Sequence, residues 1–185
     1  MSNDIKISSS ITVGDCKRYI QEKNKEKICS LFEQRFKERY IQPFKGNENK
    51  HGFSIMAISC LMIEALESFK QGWPNSNSRS ALAFSYFFDT SIGFKEMSGH
   101  HQAFYKHVRC GLLHQAETTG GWRIVRKGNF VFQPSTLTIN ATKFHQALEK
   151  EFDLYIKTLK QSDMDSSVWK SAIVKLKHTC KVCAA

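Results

Sequence analysis

The stretch Phe104-Tyr-Lys-His-Val-Arg109-Cys-Gly-Leu-Leu-His114-Gln-Ala-Glu117 decides how the chain is read. Phe104, Val108, Gly111, Leu112 and Gln115 lie at helical spacing and form the stripe that a helix turns to its own core. The spacing predicts a helix that starts near Ser98, whose hydroxyl can cap an amide of the first turn, and that stops before Gly120-Gly121. At roughly 100° per residue, the opposite side carries Ala103, Cys110 and Leu113, with Arg109 and His114 on its two borders. A helix with two apolar sides needs two packing partners: the domain core and, as the candidate for the other, a second copy of the chain. Gly111 costs about 1 kcal/mol relative to Ala inside a helix, which points to a close backbone approach at that position.

Around this helix the composition sets bounds. At 185 residues, 41% of them hydrophobic and only three of them Pro, the chain is long enough for one real core. Lys and Arg number 27 against 17 Asp and Glu, a net charge of +10. That excess favours a polyanionic partner, nucleic acid first and an anionic membrane surface second; the alternative is charge spread over solvated helix faces. The polar start MSNDIKISSS does not read as a secretory signal. No apolar run reaches the roughly 20 uninterrupted residues of a membrane span, so no membrane partner is expected. Six Cys at 16, 29, 60, 110, 180 and 183 form no disulfide framework, and a reducing cytoplasm is the expected location.

Taken in order, residues 1–11 read as a flexible lead-in. A long helix is expected from Thr12 or Asp15 to Ile41, stopped by Pro43. Phe53–Lys70 is the most apolar segment and is expected to be the most buried helix. Within it, Glu64 either shares a wet side with Glu67, Ser68 and Gln71 or is a carboxylate that orients a basic residue. Arg79–Thr90 is a shorter helix whose Phe84, Tyr86, Phe87 and Phe88 read as core. After the motif helix, Trp122–Gln133 alternates about Gly128-Asn129 and reads as a basic β-hairpin, with Thr136–Ile139 as an optional third strand. Helices follow from Asn140 or Thr142 to Leu159 and from Ser166 to Lys177. The expected fold is mainly all-α: a bundle of four to six helices with a small β-hairpin insertion after the motif helix. One domain is expected over 12–178, with the hairpin at about 122–139 and a flexible tail over 179–185. In that tail, Cys180 and Cys183 make a lone CxxC, too few ligands for a structural zinc.

Arg109-Cys-Gly-Leu-Leu-His114 resembles the R-x4-6-H signature of the HEPN superfamily of helical-bundle nucleases, and the helix order resembles its small stand-alone bacterial and plasmid members. The resemblance implies an endoribonuclease that needs no metal or other cofactor, cuts single-stranded RNA by 2′-hydroxyl attack, and works as a homodimer through the motif helix. A host-defence or toxin-like role is also implied. His114 would be the general acid or base and Arg109 the phosphate clamp. Two positions depart from the family pattern. Cys110 stands where many active members carry a polar residue, and Ala116 stands where toxins paired with a nucleotidyltransferase antitoxin carry Tyr.

The residues around the motif complete the expected site. Lys106, His107, Arg123, Arg126 and Lys127 are candidate RNA contacts, and Glu64 and Cys110 are candidate supports of the catalytic pair. No metal site is expected, because His107 and His114 lie about 10 Å apart along a helix and cannot share one ion. Three functional classes stay open: a ribonuclease, a non-catalytic RNA-binding HEPN domain, and a helical dimerisation or adaptor module. Any antitoxin or other protein partner is unspecified.

Overall fold

A computed structural model of the chain describes residues 3–184. It is mainly helical, with one small three-stranded sheet. The helices are α1 (Val13–Gln21), α2 (Lys25–Phe36), α3 (Gly52–Gln71), α4 (Ser80–Thr90), α5 (His101–Phe104), α6 (Cys110–Gln115), α7 (Ala141–Gln161) and α8 (Ser167–Cys183). The strands are β1 (Arg123–Val125), β2 (Phe132–Gln133) and β3 (Thr138–Asn140). Among the described residues the eight α-helical segments exceed the expected four to six because two expected helices are interrupted.

The chain divides into two compact units where one domain over 12–178 is expected. The first comprises Met1–Pro43, Ser68–Ser76 and Asp153–Ala185, and the second Phe44–Glu67 and Asn77–Phe152; α3 and α7 contribute to both. Met1, Ser2 and Ala185 lie outside the described residues.

In the first unit the described part of the lead-in, residues 3–11, is folded, where a flexible segment over 1–11 is expected. Ile7 is fully buried, Lys6 bridges Thr12, and the Val13 amide donates to the Ile5 carbonyl at 2.8 Å. The cause is a small antiparallel loop over Ser8-Ser9-Ser10 that buries Ile7, Ile11 and Val13 and leaves Ile5 exposed. Thr12 then caps α1 in a reciprocal box with Asp15. The expected helix to Ile41 breaks at Lys23, which takes a left-handed φ of 50°, and restarts at Asn24, whose side chain caps Lys27. The tail expected over 179–185 is helical to Cys183, because Leu176, Thr179 and Cys180 are buried. Trp169 anchors α8, its Nε1 donating to the Leu159 carbonyl at 2.9 Å.

The second unit is built on phenylalanine. Phe94 and Phe144 lie 4.8 Å apart, Phe88 and Phe104 5.1 Å, and Phe104 stacks on Phe144. The motif helix therefore enters the core through Phe104, where edge and stacked ring contacts add to the buried area. The aromatic residues of α4 are core as expected except Tyr86, which is exposed.

The sheet corrects the expected hairpin. Its order is β1-β3-β2, with β1 parallel and β2 antiparallel to β3. Thr138–Asn140 inserts between the two runs, so Gly128-Asn129 turns the chain without pairing its flanks. Burial explains the choice: β3 is buried at all three positions, whereas β1 is exposed or half-buried. Asn140 fastens the arrangement, donating to the Gly128 carbonyl and capping Lys143 at the start of α7.

By length and composition α3 could cross a membrane, but 67% of its most apolar window is buried within the structure.

Candidate active site

Arg109 ends a π-helical turn, Tyr105–Arg109, between α5 and α6, in which the Cys110 amide reaches back to the Tyr105 carbonyl. A π-turn adds a residue to the helix and shifts the faces that follow it. The motif helix starts at His101, with His100 at the cap position; Ser98 closes the preceding 3-10 turn Ile92–Met97 and does not cap the helix. Phe104, Val108, Gly111 and Leu112 are buried as the stripe requires, whereas Gln115, the last helical residue, is exposed.

The wide turn presents Arg109 to Glu64 of α3. Nε of Arg109 donates to Glu64 Oε1 at 2.8 Å, and the Ser80 hydroxyl donates to Glu64 Oε2 at 3.0 Å. The pair is largely enclosed, with side-chain exposures of 15% for Arg109 and 9% for Glu64. Glu64, Glu67 and Ser68 are buried, so of the four residues proposed as a wet side only Gln71 meets solvent. The Arg109 guanidinium also lies over the Tyr105 ring, 5.6 Å from its centroid. Burial pulls the Arg109 pKa down, but the hydrogen bond and charge of Glu64 outweigh it, and the group is held above its ordinary value. Burial, followed by a hydrogen bond that the phenol donates to the Cys110 sulfur, pushes the Tyr105 phenol up. Cys110 is half-buried beside both side chains.

The terminal nitrogens of Arg109 make no hydrogen bond to another described carboxylate or carbonyl. The Cys110 thiol bonds to the same guanidinium, which keeps 15% of its side chain exposed and stays charged at every physiological pH.

His114 lies in the last turn of α6 and is exposed. Its ring makes no hydrogen bond to a described residue. Five α-helical residues separate it from Arg109 by about 7.5 Å along the axis and about 140° around it. One copy of the helix thus points the two groups in diverging directions.

The close backbone approach expected at Gly111 is present. Ala116 takes a left-handed φ of 56°, and its amide and that of Glu117 both return to the Gly111 carbonyl. The Glu117 carbonyl then lies where a Cβ on residue 111 would be. The close approach is made by the chain's own left-handed turn at the end of α6.

The proposed RNA contacts separate into two groups. Lys106, Arg123 and Lys127 are exposed and carry the charge outward. His107 and Arg126 are engaged internally. His107 Nδ1 pairs with the Thr119 hydroxyl at 2.8 Å, the Thr119 amide donates to the His107 carbonyl at 3.0 Å, and the ring fills the space a side chain on Gly120 would need. Arg126 donates from Nε to Thr142 at 3.0 Å and from its terminal nitrogens to the carbonyls of Asn47 and Asn49. It closes the loop before α3 and forms part of a cleft of about 820 Å3 that Lys50, Phe53 and Lys127 also line. Among the described residues, no three His, Cys, Asp or Glu side chains converge as metal ligands.

Ser80 and Tyr105 escaped sequence reasoning. Tyr105 had a signal, since it precedes Arg109 by four residues on one helix; Ser80 had none. Comparison of the chain with protein-family models, with curated proteins and with solved structures finds no match in any of the three.

Proposed function

We propose that the chain is an endoribonuclease of the HEPN type, cutting single-stranded RNA without a metal by attack of the 2′-hydroxyl on the adjacent phosphate. The observation that carries this reading is the Arg109–Glu64 pair. A buried carboxylate holds one edge of a guanidinium at 2.8 Å, and the part of that side chain that reaches solvent is where an anion would meet it, within a chain of net charge +10. Such a group stabilises the charge that builds on a phosphorane and costs no reorganisation at the moment of reaction.

His114 supplies the proton chemistry. Imidazole exchanges protons near neutral pH, so it can accept the 2′-hydroxyl proton or donate one to the departing 5′-oxygen. The products are a 2′,3′-cyclic phosphate and a free 5′-hydroxyl. Because Arg109 and His114 diverge on one helix, the reading places the reaction between two motif helices of a homodimer, each supplying part of the site. The exposed Leu113 at the end of the motif helix, with Leu61 on α3 and Leu82 and Tyr86 on α4, supplies apolar surface for that contact.

Cys110 favours a second reading. It packs its thiol on Tyr105 and Arg109 where a polar group would otherwise serve RNA, as in a domain that binds RNA without cutting it. One experiment separates the two: purified protein with mixed RNA in EDTA, wild type beside His114→Ala. Cleavage to cyclic-phosphate ends, reduced about 100- to 10,000-fold in the variant, supports the nuclease. Salt-sensitive binding without cleavage supports the second reading, and neither binding nor cleavage overturns both.

A further inference from the structure

The run His178-Thr179-Cys180-Lys181-Val182-Cys183 takes no part in the site above. As the last turns of α8, it directs Cys180 inward, to within 3.1 Å of the Cys16 sulfur on α1. Both residues belong to the first unit, and their exposures are 2% and 0%. A sulfur–sulfur hydrogen bond at this distance is only about 1 Å longer than a covalent disulfide. The two thiols come from opposite ends of the chain, 164 positions apart, so their meeting is a product of the fold.

The surroundings favour a thiolate. The Arg35 guanidinium, tied to the Ile7 carbonyl at 2.6 Å, acts on both sulfurs, and Lys17 acts on Cys180. When one proton leaves, the hydrogen bond from Cys16 holds Cys180 below the ordinary thiol range, while the same bond and burial push Cys16 far up. The pair therefore contains one ready nucleophile and one proton donor. Cys29 shows the contrast, a buried thiol whose pKa is pushed up to about 11 by burial.

We propose that Cys16 and Cys180 are a site of reversible oxidative modification, where a peroxide joins α1 to α8 through a disulfide. The Cys180 thiolate attacks one peroxide oxygen, the O–O bond breaks, and the leaving oxygen takes a proton, giving a sulfenic acid and one water or alcohol. The Cys16 sulfur attacks the sulfenic sulfur, the S–O bond breaks, and the departing hydroxide takes the Cys16 proton as a second water. Two thiols are oxidised by two electrons, and one peroxide is reduced. A dithiol reverses the bond by two successive exchanges. The end of α8 offers the way in, because Val182 is exposed, Cys183 is half-exposed and last turns fray.

The test uses the full chain, reduced, exposed to hydrogen peroxide, alkylated and digested. The expected result is a loss of two hydrogen masses from the intact protein and a linked peptide pair containing Cys16 and Cys180, both reversed by dithiothreitol. The oxidised protein should melt about 5–10 °C higher, because the bond closes almost the whole chain into one loop. Cys183→Ser, Cys29→Ser and Cys110→Ser should retain the link, and Cys180→Ser should abolish it. A link between other cysteines, sulfinic acid on Cys180 with Cys16 left alkylatable, or no mass change would each overturn the proposal. Peptide mapping of the wild type decides the matter even if Cys16→Ser or Cys180→Ser fails to fold.

Discussion

Arg109 and Arg126 belong to the same unit, carry the same group and stand close in sequence, yet they meet opposite partners. Arg109 faces a carboxylate, through Nε, with the Tyr105 ring and the Cys110 thiol beside it and 15% of its side chain exposed. Arg126 faces two main-chain carbonyls and a hydroxyl, which engage Nε and both terminal nitrogens. A guanidinium has five donors in a fixed fork, so its partners decide whether any remain to recognise something else. The first arginine is held by one side-chain carboxylate through a single nitrogen. The second serves as a strut for the loop before α3. Basic residues counted from sequence therefore overstate the charge that is free to meet a polyanion.

The largest expected effect tests the Arg109 side. Glu64→Ala leaves a guanidinium enclosed without its counter-charge, and removing one partner of such a pair costs about 3–5 kcal/mol. Urea unfolding should show that loss, and RNA cleavage should fall with it because Arg109 is no longer aimed. Glu64→Gln keeps an acceptor and should recover part of the stability while leaving the cleavage defect. If Glu64→Ala unfolds at the wild-type midpoint, Arg109 is positioned by something other than this pair.

Arg126→Ala should come next. It strands the carbonyls of Asn47 and Asn49 and the Thr142 hydroxyl, for about 1–3 kcal/mol, with amide exchange rising across residues 45–50. Arg126→Lys should not rescue it, since an ammonium cannot bridge partners that the planar fork reaches together. Equal loss in the two variants, without change in RNA affinity, keeps Arg126 as a strut. A drop in RNA affinity with stability intact would move it to the Arg109 class.

Gly111→Ala is a smaller perturbation of the motif helix itself. The added methyl meets the Glu117 carbonyl, so the turn through Ala116 must shift, and about 1–2 kcal/mol of stability should be lost. Since the helix gains propensity from the same change, a net stabilisation would show that the turn moves freely.

What could be read from the residues follows from the range of the forces involved. Helices α3, α4 and α7 announce themselves because an apolar face repeats over many turns, and α8 does so until its last turns. The break at Lys23-Asn24 is hidden in a charged run, Gln21–Lys27, where no apolar face records the phase. The π-turn at Tyr105–Arg109 adds one residue without a residue type to mark it, so angles drawn across it from ideal geometry drift. The sheet fails differently. Alternation shows that Trp122–Gln133 is extended but not which strand lies beside which, and the burial of Thr138 and Ile139 is a tertiary fact. At the site, Arg109 and His114 follow from spacing and chemistry. The Glu64 partnership was open to two readings, because a carboxylate on an apolar helix can face water or a cation. The division of the basic residues into presented and engaged depended on main-chain carbonyls, which carry no signature in side-chain identity.

The smallest effect belongs to the exposed charges and sharpens the division between the two arginines. Arg123 and Lys127 neighbour Arg126 in sequence but are exposed. Each that touches a phosphate releases a counterion on binding, so each replacement by Ala should lower the slope of log affinity against log salt by about 0.7 for single-stranded RNA. Stability should stay within about 0.5 kcal/mol, as it does for exposed positions without special contacts. The double variant should lose about twice the slope of either one, because solvated charges act nearly independently. Lys106 on the motif helix supplies the reference, being exposed one turn before Arg109. If Lys106→Ala lowers the slope and the Arg123–Lys127 pair does not, RNA follows the motif helix alone. If all three lower it alike, the path runs from the motif helix to the end of β1, and only Arg126 stands aside from it.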